Sequence, residues 1–122
     1  MIVAGFGFRA MATVHSLQSA LARVQGAHVV EALAAPDDKC SAPGLQSLSR
    51  QLNLPVLPIS ATVLQAQETQ TRSAISQDHR NSGSVAEATA LAAAGPGATL
   101  IVPRQISEDR LATCSLAEKN KL

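Results

Sequence analysis

The feature that most constrains the fold is the way the chain opens. Ile2 to Phe8 is a short apolar segment with glycines at positions 5 and 7, and Val14, Leu17, Leu21 and Val24 follow at helix spacing. The spacing predicts strand, turn and helix, with the helix ending at Gly26, where a left-handed residue is commonly needed. Ala27 to Ala34 reads as a second strand, paired in parallel with the first because a helix connects them. The two-residue strand period places Ile2, Ala4, Phe6 and Phe8 on one face of the first strand and Val3, Gly5, Gly7 and Arg9 on the other.

The pattern then continues. Ser41 and Pro43 supply helix-start chemistry for a helix with Leu45, Leu48 and Leu52 on one face, closed by Leu54-Pro55. Val56 to Ile59 is a brief strand in which Pro58 lacks an N–H, so it is expected at an edge or an end. Ser60 is placed to cap a short helix through Leu64. Gln65 to Gly83 is polar and aperiodic, and reads as a long loop that is either functional or without fixed structure. Ser84-Val85-Ala86-Glu87 fits a capping box that opens an alanine-rich helix to Ala94, stopped by Gly95-Pro96. Ala98 to Val102 is expected as a buried strand, Pro103 to Arg110 as a polar turn, and Leu111 to Ala117 as a final antiparallel strand. Strands alternating with helices predict a three-layer α/β/α sandwich with a mixed, mostly parallel sheet of about five strands, formed as a single domain over residues 1–122.

Composition narrows the function. Phe6 and Phe8 are the only aromatic residues, and ten Lys and Arg stand against nine Asp and Glu. With neither stacking platforms nor a basic field, nucleic acid is not an expected partner. The first residues are apolar but too short for a signal peptide or a membrane span, so a cytoplasmic setting without membrane attachment is expected. Cys40 and Cys114 form no Cys-x-x-Cys pair and read as reduced thiols. His15, His28 and His79 are dispersed, so no metal site and no bound cofactor are expected.

Cations fall at the predicted element ends: Arg9 after the first strand, Lys39 after the second, Arg104 after the strand ending at Val102. The helix start at Ser84 adds free amides, and the polar loop adds Arg72, His79 and Arg80. Gly5 and Gly7 beside Arg9 leave room for a ligand beyond the strand end, where open α/β sheets bind their ligands. Such a set suits a molecule bearing several carboxylates. Two other readings stay open. Gly5-x-Gly7-x-x-Ala10, with Glu31 downstream, loosely fits a nucleotide-binding fingerprint. Lys39, Cys40 or His79 offers an acid-base group for catalysis.

The same segments resemble the CobE family of cobalamin-biosynthesis proteins, which is similar to the C-terminal domain of CbiG. The resemblance runs through Gly5-Phe6-Gly7-Phe8-Arg9, Lys39, Pro43-Gly44-Leu45, Leu52-Asn53-Leu54-Pro55-Val56 and Ile59-Ser60-Ala61. It continues through Ser84-Val85-Ala86-Glu87-Ala88 and Leu100-Ile101-Val102-Pro103-Arg104. It implies a stand-alone protein of the corrin-ring stage that binds and chaperones a precorrin-type tetrapyrrole rich in acetate and propionate side chains, with other corrin-pathway enzymes as partners. The substrate-binding set it implies is Gly5, Gly7, Phe8, Arg9, Lys39, Ser84, Glu87 and Arg104. Its alternative is a hydrolase or isomerase acting on a ring lactone, the reaction linked to CbiG.

Overall fold

Ile2–Phe8 forms strand β1, and its run of buried residues shows why: both faces are covered. The computed structural model describes residues 1–64 and 83–119. Among these, β1 is joined by β2 (Ala32–Pro36), β3 (Val56–Ile59), β4 (Thr99–Ile106) and β5 (Ala112–Glu118) in a sheet of order β3-β2-β1-β5-β4. β1, β2 and β3 pair in parallel, while β5 is antiparallel to both of its neighbours. Four strands therefore run in one direction and one returns, which makes the sheet mixed and mostly parallel, as expected.

Helices α1 (Val14–Gln25) and α2 (Pro43–Leu52) cover one face, and α3 (Gly83–Ala94) covers the other. The β1 alternation sorts as predicted. Ala4 and Phe6 join Leu17, Leu21, Leu33, Leu45 and Leu48 in the core under α1 and α2, whereas Val3 joins Ala90 and Ala94 under α3. This third layer is thin because alanine and glycine let the α3 backbone lie close to the sheet. Among the described residues no helix is long and apolar enough to cross a membrane.

Several expectations need correction. β2 begins at Ala32 rather than Ala27, because β1 starts at Ile2 and the register Val3↔Ala32 leaves residues 27–30 without a partner strand. Val29 is accordingly 72% exposed. Ser41 does not cap α2, whose N-cap is Ala42, with Pro43 at the first turn. β4 is not a buried strand ending at Val102 but a half-exposed edge that runs on to Ile106. The buried strand is β5, whose polar Thr113 and Ser115 disguise it by donating to the Gly7 and Val102 carbonyls at 3.1 and 2.8 Å. Pro58 does lie on an edge, in β3, and the Ser60 hydroxyl does accept from the Val63 amide at 3.3 Å. The Gln65 to Ser82 part of the predicted loop, with Arg72, His79 and Arg80, lies outside the described residues.

The Ser84 side chain of the expected capping box lies outside the described residues. α3 starts at Gly83, which puts Ser84 inside the helix, and the Glu87 carboxylate is engaged elsewhere. A reciprocal cap occurs at α1, where the Thr13 and Ser16 hydroxyls each accept from the other's amide.

Ser16 also ties α1 to the β4–β5 turn. The Asp109 carboxylate accepts from the hydroxyls of Ser107 and Ser16, each at 2.6 Å, and from the Leu111 amide at 3.1 Å. These bonds favour its charged form and hold Asp109 below the usual carboxylate range. A lowered folded value means that the stabilisation is present above the ordinary carboxylate pKa and is lost as pH falls through the folded one. Asp109→Asn should therefore flatten the acid limb of urea midpoint against pH while leaving its neutral-to-alkaline shape unchanged. An acid limb as steep as wild type would show that Asp109 is not responsible.

Candidate functional site

The winding of the sheet singles out one end. From β1 the chain passes through α1 to β2 on one side, whereas β4 is reached across α3 on the other, so the direction of winding reverses at β1. Ligands of open α/β sheets bind in the crevice beyond the carboxyl ends of the strands at such a reversal. The carboxyl ends of β1 to β4 and the N-termini of α1, α2 and α3 face this same end, adding a partial positive potential.

Phe8 ends β1 and Lys39 follows β2, and the parallel pairing brings them together. The Lys39 ammonium lies 5.5 Å from the centroid of the Phe8 ring, a cation–π contact that holds a flexible side chain over an aromatic face. Arg9, the next residue, is exposed, and its amide donates to the Leu111 carbonyl at 2.9 Å, which brings its backbone to the start of β5. Phe8 and Lys39 thus meet at the strand ends, with the exposed Arg9 next in the chain.

Gly5 has another purpose. A Cβ there would meet the Ala90 amide nitrogen at 2.4 Å and the Ala86 carbonyl oxygen at 2.5 Å, so the space beside it is filled by the α3 backbone. It is a packing glycine, not room for a ligand. The nucleotide reading falls with it, because no pyrophosphate has access to Gly5. Glu31 precedes β2 and sits at the opposite end of the sheet from Arg9. Gly7 is buried within β1, with its carbonyl accepting from Thr113.

Arg104 is set apart from Arg9 by β5. Between Val102↔Leu116 and Gln105↔Cys114, β4 spends two residues, Pro103 and Arg104, against the single Ser115 of β5. Such a bulge turns side chains and frees backbone groups from the ladder. Both flanking groups are satisfied: the Ser115 hydroxyl donates to the Val102 carbonyl, and the Arg104 amide donates to the Glu87 carboxylate at 3.0 Å. Pro103 has no amide to lose. Glu87, only 8% exposed, therefore anchors Arg104 from the other side of the sheet and positions it.

Arg104 lines a groove of about 370 Å³ together with Arg23 of α1 and Arg110 of the turn, with Glu108 as the single acid among the described residues. Arg110 holds φ at 65°, a left-handed conformation that costs a residue with a Cβ about 1 kcal/mol. The Asp109 hydrogen bonds and the Arg110 amide, which donates to Ser107 at 2.9 Å, keep it there. Sequence reasoning misses Arg23 and Arg110, since one is a helix-surface cation and the other falls in a polar turn. Only the antiparallel return of β5 brings them beside Arg104.

Cys40 is a poor candidate for catalysis. Burial first, then the charges of Asp37 and Asp38, push its thiol up, and its Sγ lies 3.4 Å from the Pro36 carbonyl. A thiol kept protonated is a weak nucleophile and a weak base.

The comparisons agree with this architecture. Residues 2–117 match the family described as Cobalamin synthesis G C-terminus. The chain belongs to this family. Its role accordingly lies in cobalamin biosynthesis. The crystal structure of cobalamin biosynthesis protein chiG from Agrobacterium tumefaciens is 35% identical, with TM-score 0.78, and covers 99% of this chain and 100% of that one. CobE, a protein from the cobalamin biosynthetic pathway, is 32% identical with TM-score 0.75, over 96% of this chain and 89% of that one. A cobalamin biosynthesis protein G homolog from Sulfolobus solfataricus shares the fold at 15% identity, TM-score 0.71, over 98% of this chain and 37% of that one. A search of curated proteins found no significant match.

Proposed function

We propose that this member of the CbiG C-terminal family binds a polycarboxylated, precorrin-type tetrapyrrole and chaperones it to other enzymes of the corrin pathway in the cytoplasm. The observation that carries this reading is the Phe8–Lys39 contact, with the exposed Arg9 next in the chain, at the strand ends where the winding reverses. An aromatic face with two cations suits a flat ring whose rim carries carboxylates. Ser84, near the N-terminus of α3, faces the same end through its helix backbone, and Arg104 extends the cationic row across β5. Lys39, Arg9, Arg110 and Arg104 belong to four adjacent strands or their ends, a width of roughly 14 Å at ordinary strand spacing. That width matches a macrocycle with its side chains.

Titration with uroporphyrin, a polycarboxylated tetrapyrrole, tests the reading. The Arg9→Ala/Lys39→Ala double variant should weaken binding by about tenfold or more, since each charge-assisted hydrogen bond contributes about 1.5 to 3 kcal/mol before screening. Wild-type affinity should also fall as salt is raised. Equal affinities for wild type and double variant would remove the site from these residues.

A further inference from the structure

We propose that the groove between α1 and the β4–β5 hairpin is a separate carboxylate-recognition subsite, in which Arg23, Arg104 and Arg110 grip two neighbouring carboxylate arms of one ligand. Among the described residues, three arginines and one acid line the groove, a cationic balance. Each guanidinium presents a planar fork of donors that matches a carboxylate in two parallel hydrogen bonds, which a lysine cannot do. A volume of about 370 Å³ admits short acid arms but not a whole macrocycle.

The surroundings are built to aim these side chains. The β4 bulge turns Arg104, the buried Glu87 carboxylate takes the amide that the bulge frees, and the Ser115 hydroxyl takes the Val102 carbonyl. On the other wall, Arg110 is held left-handed by a turn whose Asp109 is bonded to Ser16, while the Ser19 hydroxyl accepts from the Glu108 amide at 3.0 Å. Ser19 and Arg23 are four residues apart and so share one side of α1, which registers Arg23 against the hairpin. Two walls fixed by separate hydrogen-bond sets give the three cations a defined spacing. Glu87 acts as a positioning residue.

The proposal rests on the tetrapyrrole reading only for the larger molecule that owns the arms, so its test uses a fragment. Tricarballylate should give saturable amide shifts centred on Gln105 to Arg110, and acetate at equal concentration should not. Arg104→Gln/Arg110→Gln, with an unchanged melting midpoint, should weaken tricarballylate roughly tenfold or more. Glu87→Ala should weaken it and speed hydrogen exchange at the Arg104 amide, and Glu87→Gln, which keeps an acceptor oxygen, should restore both. Should Glu87→Ala fail to fold, the double arginine variant and Glu87→Gln decide. Non-saturable shifts, equal affinity in the arginine variant, or tighter binding of pyrophosphate would overturn the assignment. Saturable tricarballylate binding without any uroporphyrin binding would uphold the groove and overturn the tetrapyrrole reading.

Discussion

Replacing Gly5 by alanine is expected to destabilise the protein by at least about 3 kcal/mol, as severe overpacking does, and to lower its melting midpoint by about 10 °C or more. The added carbon would sit 2.4 and 2.8 Å from the Ala90 amide nitrogen and Cα and 2.5 Å from the Ala86 carbonyl. All three are backbone atoms of α3, so no side-chain rotation relieves the contact and the helix must lift from the sheet. Lifting it separates Ala90 and Ala94 from Val3 and Ala117, and draws Glu87 away from the Arg104 amide. Gly26→Ala is the matched control: its φ of 51° strains any other residue, but nothing lies within 4 Å of the added carbon. With ψ at −126° as well, that change should cost about 1 to 3 kcal/mol of strain while leaving the α3 contacts intact. Melting curves of the two variants compare backbone collision with dihedral strain, and a Gly5 variant that loses less than about 1 kcal/mol would refute the packing role.

The two phenylalanines should behave in opposite ways. Phe6 is fully buried between the sheet and the α1–α2 layer, so Phe6→Ala leaves a cavity among Leu17, Leu33 and Leu116 and should cost about 3 to 5 kcal/mol. Phe8, two residues on and on the same face, is only half-buried at the strand end beneath Lys39. Phe8→Ala should cost about 1 to 2 kcal/mol of stability, because it exposes less area, and should weaken tetrapyrrole binding by removing the aromatic face. Urea midpoints read the first effect and uroporphyrin titration the second. Similar stability losses for both variants would mean that the strand end is core rather than site.

These two residues also show what could be read early. The alternation along β1 assigns Phe6 and Phe8 to one face and Val3 and Gly5 to the other, and the structure keeps that assignment. The β3 proline sits on an edge for the reason the sequence supplies, a missing amide. The meeting of Phe8 and Lys39 was legible because parallel pairing places consecutive strand ends side by side. The meaning of Gly5 was not, since bare backbone invites a ligand and a helix equally, and only the approach of Ala86 and Ala90 distinguishes them.

The last two strands illustrate the other limit. Thr113 and Ser115 look like the solvent face of an edge strand, yet they are buried and bonded to carbonyls of flanking strands. Glu87 three residues after Ser84 looks like a cap, yet its carboxylate reaches the amide freed by the β4 bulge, 17 residues away. Ser16 and Asp109, joined across 93 residues, carry no mutual signal in the sequence.

The sequence by itself determined the opening strand-turn-helix, the three layers, the edge position of Pro58 and the cations at the strand ends, because periodicity, missing amides and helix stops act within a few residues. Tertiary structure alone decided that β5 lies inside the sheet, that Gly5 belongs to α3, and that Arg104 joins Arg23 and Arg110 rather than Arg9. Those outcomes depend on which distant backbone group satisfies a buried donor or fills a bare strand position, and that choice is made only when the layers close.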